Sequence, residues 1–288
     1  MVERADMHGK VVLITGATDG IGRVTAEALA QAGAEITLVA RNPQKTAAVA
    51  QEIRQKTGNP KIEMITADLS TQSGVRQVAE TFLQTHNRLD VLINNAGAVF
   101  MSRKTSQDGY EMSFALNHLA YFLLTHLLLD LLKASAPARI VNVSSAAHGG
   151  ARGIAEDVEN PRSFSGWSAY SQSKLANVLF TYELARRLQG TGVTVNALHP
   201  GFVATNFGRS NGGLFQALFR LFQLGAITPE QGAETSIYLA SSPEVAGVTG
   251  KYFDRCKAVS SSKVSHDEGL AHNLWQKSLR FTGMTEKV

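Results

Sequence analysis

A single cysteine, Cys256, in 288 residues excludes an intrachain disulfide and a cysteine-cluster metal site. It suits a reducing, cytoplasmic setting. Charge is also scarce. Asp, Glu, Lys and Arg make up 18% of the chain, below the usual ~25%, which points to long segments buried on both sides. The net charge of +4 comes from 28 basic residues scattered along the chain against 24 acidic ones, so no nucleic-acid partner is expected. Residues 1–9 carry charges and no apolar run, so no signal peptide is expected. A membrane span needs ~20 mostly apolar residues. The most apolar stretch, 119–132, is shorter and is broken by Thr125, His126 and Asp130, so it reads as a buried helix and no membrane span is expected.

What the chain does have is a series of short apolar runs at a steady interval. Residues 10–15 (KVVLIT), 35–40 (EITLVA), 61–66 (KIEMIT) and 90–94 (DVLIN) begin 25, 26 and 29 residues apart. Each is rich in Val, Ile or Leu and too short for an independent helix. Helical patterns lie between them at 21–33, 43–57 and 71–85. Strand and helix alternating at this spacing mark crossover units in a parallel sheet. The alternation continues through a long helix at about 110–133, a strand at 138–143, a helix at 169–189, a strand at 192–198 and a last strand near 250–254. The expected fold is therefore α/β: a single-domain, doubly wound, Rossmann-like parallel sheet of about seven strands, with helices on both faces, over residues 1–288. Two segments break the rhythm. Residues 148–167 are polar and glycine-containing and read as a loop. Residues 211–227 hold Leu214, Phe215, Leu218, Phe219, Leu221, Phe222 and Leu224, too apolar for a solvated loop. A lid over an apolar substrate, with Phe215 and Phe219 touching it, is the preferred reading; a membrane-surface patch and an ordinary packed helix are the alternatives.

The first strand runs into Thr15-Gly16-Ala17-Thr18-Asp19-Gly20-Ile21-Gly22 and then into a helix. In such a turn Gly16 permits the tight bend, Gly20 the close approach of a pyrophosphate, and Gly22 the packing of helix on strand. The helix N-terminus then faces the phosphates with unpaired amides and partial positive charge. At the end of the second strand an NAD enzyme places a carboxylate on the ribose hydroxyls. Here the residue is Arg41, which suits the 2′-phosphate of NADP(H) instead. Asp19 argues the other way, because a carboxylate near that phosphate repels it. Asp68, followed by Leu69 after the third strand, is placed to accept from the adenine amino group, or to cap the next helix.

Tyr170 and Lys174 stand four residues apart on an expected helix and so share a face. Their company gives the pair weight. Asn94-Asn95-Ala96-Gly97 closes the fourth strand, Asn117 lies within the long helix, Ser144-Ser145 follow the fifth strand, and His199-Pro200-Gly201 follow the sixth. These positions border the carboxyl ends of the strands, where open parallel sheets bind ligands. His199 has no cysteine, carboxylate or second histidine at ligand spacing, and no metal is indicated.

The glycine turn TGATDGIG, NNAG, the helix asparagine, the serine after the fifth strand, YSQSK and HPG together resemble the short-chain dehydrogenase/reductase family over roughly residues 9 to 255. SQSKLANVLFTYELARRL, ALNHLAYFLLTHLLL and the insertion between serine and tyrosine are most similar to its retinol dehydrogenase-like branch. That resemblance implies an NADP-dependent oxidoreductase of apolar alcohol/carbonyl pairs. It makes Tyr170 the general acid/base, Lys174 the partner of the nicotinamide ribose, Ser145 (rather than Ser144) the donor to the substrate oxygen, and Asn117 the holder of a linking water. A lysine ammonium about 5 Å from the phenol, at an effective dielectric near 20, would favour the phenolate by roughly 3 kcal/mol, about 2 pKa units. Asn94, Ala96 and Gly97 would line the adenosine side; Pro200, Gly201, Val203 and Thr205 would pass the nicotinamide. The resemblance also implies a homo-oligomer, dimer or tetramer, paired through the two long helices. The chain after Lys251, with Trp275, is expected to close the rim of the site. The competing readings are an NAD-dependent dehydrogenase of a polar alcohol and a non-catalytic NADP-binding protein; a nucleotide-sugar epimerase would need a larger C-terminal substrate domain.

Overall fold

A computed structural model describes residues 5–202 and 227–287. In chain order the elements are β1 (Val11–Thr15), α1 (Gly20–Gln31), β2 (Glu35–Ala40), α2 (Pro43–Thr57), β3 (Ile62–Thr66), α3 (Gln72–Thr85), β4 (Val91–Asn94), α4 (Met112–Ala134), β5 (Ala138–Val143), α5 (Gly166–Arg187), β6 (Val193–His199), α6 (Pro229–Ser241), β7 (Tyr252–Asp254), β8 (Lys257–Val259) and α7 (Glu268–Thr282). The strands form one open sheet in the order β3-β2-β1-β4-β5-β6-β7-β8. Every neighbouring pair is parallel except β7 and β8. From β1 the chain first winds outward through β2 and β3, then crosses back to β4. The reversal leaves a crevice at the carboxyl ends of β1 and β4, the place such sheets use for ligands.

Local chemistry sets the boundaries. Asn42 caps α2 by accepting from the Lys45 amide, Pro43 opens it, and Gly58, with φ +69°, closes it. At α6 the Thr228 side chain and Gln231 cap each other's amides reciprocally, with Pro229 in first position. The central strands are covered on both faces, which explains their near-continuous apolar runs. Leu13, Leu92, Ile140 and Val195 face a layer built by α3, α4, α5 and α7. Val12, Ile14, Ile93 and Val141 face the layer of α1, α2 and α6. Helix α4 has the length and hydropathy of a membrane span, but 78% of its most apolar window is buried in the fold.

Two features depart from the sequence reading. The sheet has an eighth strand, β8, folded back antiparallel on β7. The two-residue hairpin turn is Arg255-Cys256, both at positive φ (48° and 60°). Such turns normally carry Asn-Gly or Asp-Gly, so this one left no signal. The C-terminal helix does not close the rim. Trp275 is 1% exposed and packs against Phe122 and Phe180 at ring distances of 5.2 and 6.0 Å. Helix α7 thereby covers the groove between α4 and α5, the two helices expected to meet a second subunit. Finally, residues 203–226, with Val203, Thr205, Phe215, Phe219 and nearly all of the expected lid, lie outside the described residues.

Candidate active site

The glycine turn leaves β1 at Thr15. Gly16 has φ +68°, and a β-carbon there would lie 2.8 Å from the Ala96 Cα; at Gly22 it would lie 2.5 Å from the Gly16 carbonyl oxygen. Both positions need glycine for reasons of space, and Gly22 seats α1 against the turn as expected. Gly20 also has positive φ, 49°. The turn is tied to the end of β4 by two residues that the sequence reading left without a role. The Thr15 hydroxyl accepts from the Asn95 and Ala96 amides (2.9 and 3.0 Å), and Asn95 Nδ2 donates to the Thr15 carbonyl at 2.8 Å. Asn95 was legible only as part of NNAG.

Asp19 is the N-cap of α1. One carboxylate oxygen accepts from the Gly20 amide at 2.9 Å and the other pairs with Lys45 Nζ at 3.0 Å. Its charge is thus met by a lysine from the first turn of α2. Arg41 is exposed just past β2, and Thr18 and Ile21 lie half-buried in the turn. Asp68 accepts from the Ser70 amide and hydroxyl at 3.0 and 2.8 Å, while Thr71, not Asp68, caps α3; Leu69 is buried.

Asn94 does not reach the crevice. It is fully buried, and its Nδ2 donates to Asn142 Oδ1 (2.9 Å) and Thr125 Oγ1 (3.1 Å) beneath the sheet. Alternation along β4 turns this side chain inward, so Ala96 and Gly97, half-buried beyond the strand, are left to border the crevice. Asn117 lies in a single π-turn, Ala115–Leu119, inside α4. Its side chain accepts from the Ala98 amide, donates to the Ala98 carbonyl (both 2.9 Å) and reaches Ser173 Oγ at 3.0 Å. It clamps the segment after β4 onto α4 and α5.

Ser144 and Ser145 separate clearly. Ser144 is buried and donates to the Lys174 carbonyl at 2.8 Å. Ser145 is half-buried, accepts from the Ala147 amide at 3.2 Å, and hydrogen-bonds the Tyr170 phenol. Lys174 Nζ donates to the Val143 carbonyl at 3.0 Å and lies 5.8 and 5.9 Å from the ring centres of Tyr121 and Tyr170. Gly97 lets the backbone pass close to it; a β-carbon there would sit 3.3 Å from Lys174 Nζ. The expected acidification of the phenol is not found. Burial disfavours both charged forms, pushing Tyr170 up to about 12 and Lys174 down to about 7; only the Ser145 hydrogen bond pulls the phenol back.

His199 has a structural part: its Nδ1 accepts from the Ala146 and Gly201 amides at 3.1 and 3.4 Å, tying the ends of β5 and β6 together. Pro200 and Gly201 follow, half-buried. Met101, Trp167 and Phe202 are exposed large apolar side chains on the segments after β4, at the start of α5 and after β6. The sequence reading assigned none of them.

Known proteins match this arrangement. The family model for short chain dehydrogenases matches residues 10–212. Retinol dehydrogenase 13 of Homo sapiens is 45% identical over 288 residues, covering 98% of this chain and 87% of that protein. Retinol dehydrogenase 14 of Homo sapiens is 45% identical over 294 residues, covering 96% and 88%. Among solved structures, an uncharacterized protein from Mycobacterium paratuberculosis superimposes with a TM-score of 0.81 at 33% identity, covering 99% of this chain and 98% of that one. The RhlG/NADP active-site complex of Pseudomonas aeruginosa does so with a TM-score of 0.69 at 29% identity, covering 88% and 97%. Fold, motif order and relatives agree: the chain belongs to the short-chain dehydrogenase/reductase family, in its retinol dehydrogenase-like branch, and is an oxidoreductase of alcohol and carbonyl groups that uses a nicotinamide cofactor.

Proposed function

We propose that the chain is an NADP-dependent oxidoreductase of apolar carbonyl/alcohol pairs, with Tyr170 as the proton-transferring acid/base. The observation that carries this reading is the convergence of Ser145, Tyr170 and Lys174 beside a glycine turn at the switch point of the sheet. The crevice residues fit a dinucleotide. Gly16 and Gly22 hold the turn tight against α1 and β4 so that Gly20 can let a pyrophosphate approach the start of α1, Arg41 is exposed for a 2′-phosphate, and Lys174 suits the nicotinamide ribose. The pairing of Asp19 with Lys45 removes the objection that its carboxylate would repel that phosphate. The bound nicotinamide supplies or takes the hydride.

In reduction, Ser145 Oγ holds the carbonyl oxygen and Tyr170 Oη gives it a proton. A phenol pushed up to about 12 keeps that proton at neutral pH, as a general acid must. In oxidation the phenolate is needed, and the Lys174 ammonium, when charged, favours it. Asn117 positions the floor of the site through Ala98. The apolar substrate is supported by the exposed Met101, Trp167 and Phe202 at the rim, by the Leu- and Phe-rich 211–227, and by the retinol dehydrogenases among the relatives.

The test is reduction of a panel of apolar aldehydes and ketones with NADPH and NADH, using the wild type and Arg41→Asp. Turnover with NADPH preferred, and a loss of roughly 10- to 100-fold in NADPH affinity with little change for NADH in the variant, is expected for one charge-assisted phosphate contact. Equal effects on both cofactors would contradict the phosphate role, and no turnover on any carbonyl would contradict the reaction.

A further inference from the structure

The two tryptophans are used in opposite ways. Trp275 is 1% exposed, whereas Trp167 is 57% exposed, the largest value among the exposed large apolar side chains described. A single exposed apolar side chain is ordinary on a protein surface; what distinguishes this one is its position. It lies one turn before Tyr170 on α5, so the two share a helix face, and their ring centres are 5.9 Å apart with planes inclined at 42°.

The start of α5 is closely packed on one side, and the indole has a backbone neighbour on the other. Gly166, which precedes Trp167, presses on the segment after β4: a β-carbon there would lie 2.5 Å from the Met101 Cα and from the Phe100 carbonyl oxygen. On the other side a β-carbon at Gly150, in the turn that follows Ser145, would lie 3.9 Å from the indole Nε1. The start of α5 therefore lies between the segments after β4 and β5, which flank the Ser145–Tyr170 pair. Its backbone is fixed by close packing, so little ordering remains to be lost when something lies on the ring.

We propose that Trp167 is the side wall of the substrate cleft and selects carbonyl compounds that carry an aromatic ring next to the carbonyl. This rests on Tyr170 being the proton donor. A carbonyl oxygen held by Tyr170 and Ser145 brings the first ring of its substituent to the indole at the offset-stacking distances of 4.5–7 Å. A flat ring gains from that geometry, and a short aliphatic chain has too little surface to do so. Trp167 contacts the substrate's body and takes no part in proton transfer, so its effect falls on KM.

The experiment compares the NADPH-loaded wild type, Trp167→Ala and Trp167→Phe with 4-nitrobenzaldehyde and butanal. In Trp167→Ala, KM for 4-nitrobenzaldehyde is expected to rise about tenfold with kcat within about twofold, while KM for butanal stays put; Trp167→Phe restores most of the loss. Equal shifts for both aldehydes, or none for either, overturn the proposal. A second readout is independent of turnover. The nitroaromatic should saturably quench tryptophan emission in the NADP-loaded wild type and not in Trp167→Phe, where only the buried Trp275 emits. If quenching appears but neither aldehyde is reduced, the wall stands and the assigned reaction falls. If no quenching appears, the wall falls whatever the turnover.

Discussion

Helix α5 belongs to two regions built on opposite terms. At its N-terminal end Trp167, Tyr170 and Lys174 stand together, beside half-exposed loops held by backbone hydrogen bonds and close-packed glycines. At its C-terminal end Phe180 and Arg187 face α7, with Trp275 between them: the Arg187 guanidinium lies 4.3 Å from the indole centre. The first region keeps polar groups where a ligand can use them. The second buries aromatic rings and two histidines, His118 and His126, that face α7 and are held neutral. One helix thus carries chemistry and stability on separate stretches, and damage to one should leave the other intact.

The sharpest way to break that separation is Trp275→Ala. Removing a fully buried indole should cost about 3–5 kcal/mol, read as a fall in the denaturant midpoint. NADPH affinity and kcat of the folded fraction should stay near wild type. A large fall in kcat with unchanged stability would show that α7 belongs to the site after all. The same variant probes oligomeric state. Helix α7 covers the α4–α5 groove, so pairing through those helices should be weak in the wild type and appear, if anywhere, when α7 is loosened.

A smaller effect lies in the pH dependence of stability. Burial pushes His118 down to about 4 in the folded protein, against 6.5 when exposed. Between those values the unfolded chain binds a proton that the folded one refuses. The His118 contribution is therefore full above pH 6.5 and falls as pH drops from 6.5 towards 4. His126, also pushed down to about 4, adds to the same slope. In His118→Gln the gap between urea midpoints at pH 7 and pH 5 should narrow, though not vanish. An unchanged gap would remove His118 from the acid response.

Much of the α/β scaffold was legible because parallel strands buried on both faces write themselves as apolar runs; helices α6 and α7 were not read, although Thr228 and Pro229 open α6 with a capping box. The edge was not legible. Strand β8 is three exposed residues reached through Arg255-Cys256, a turn without glycine. The site's residue types were readable from motif order, yet their directions were not. Asn94 and Asn95 are adjacent and equally polar, and only strand alternation with the neighbouring Asn142 decides that Asn94 points inward. Between Ser144 and Ser145 the family resemblance picked the second, which is the one that meets the Tyr170 phenol. The phenol's acidity was misjudged because a pairwise charge argument omits burial, which here acts on Tyr170 and Lys174 together. Trp167 carried no sequence signal, since it ends the polar stretch 148–167 that reads as a loop, whereas the helix in fact begins at Gly166.

The most direct measurement is a single turnover by NADPH-loaded Tyr170→Phe beside the wild type, following nicotinamide absorbance on addition of an aldehyde the wild type reduces. Proton donation by a positioned side chain contributes ~10²- to 10⁴-fold. A loss of that size, with NADPH affinity and the unfolding midpoint unchanged, is the expected result. Hydride transfer at the wild-type rate in the variant would contradict a proton-donating Tyr170.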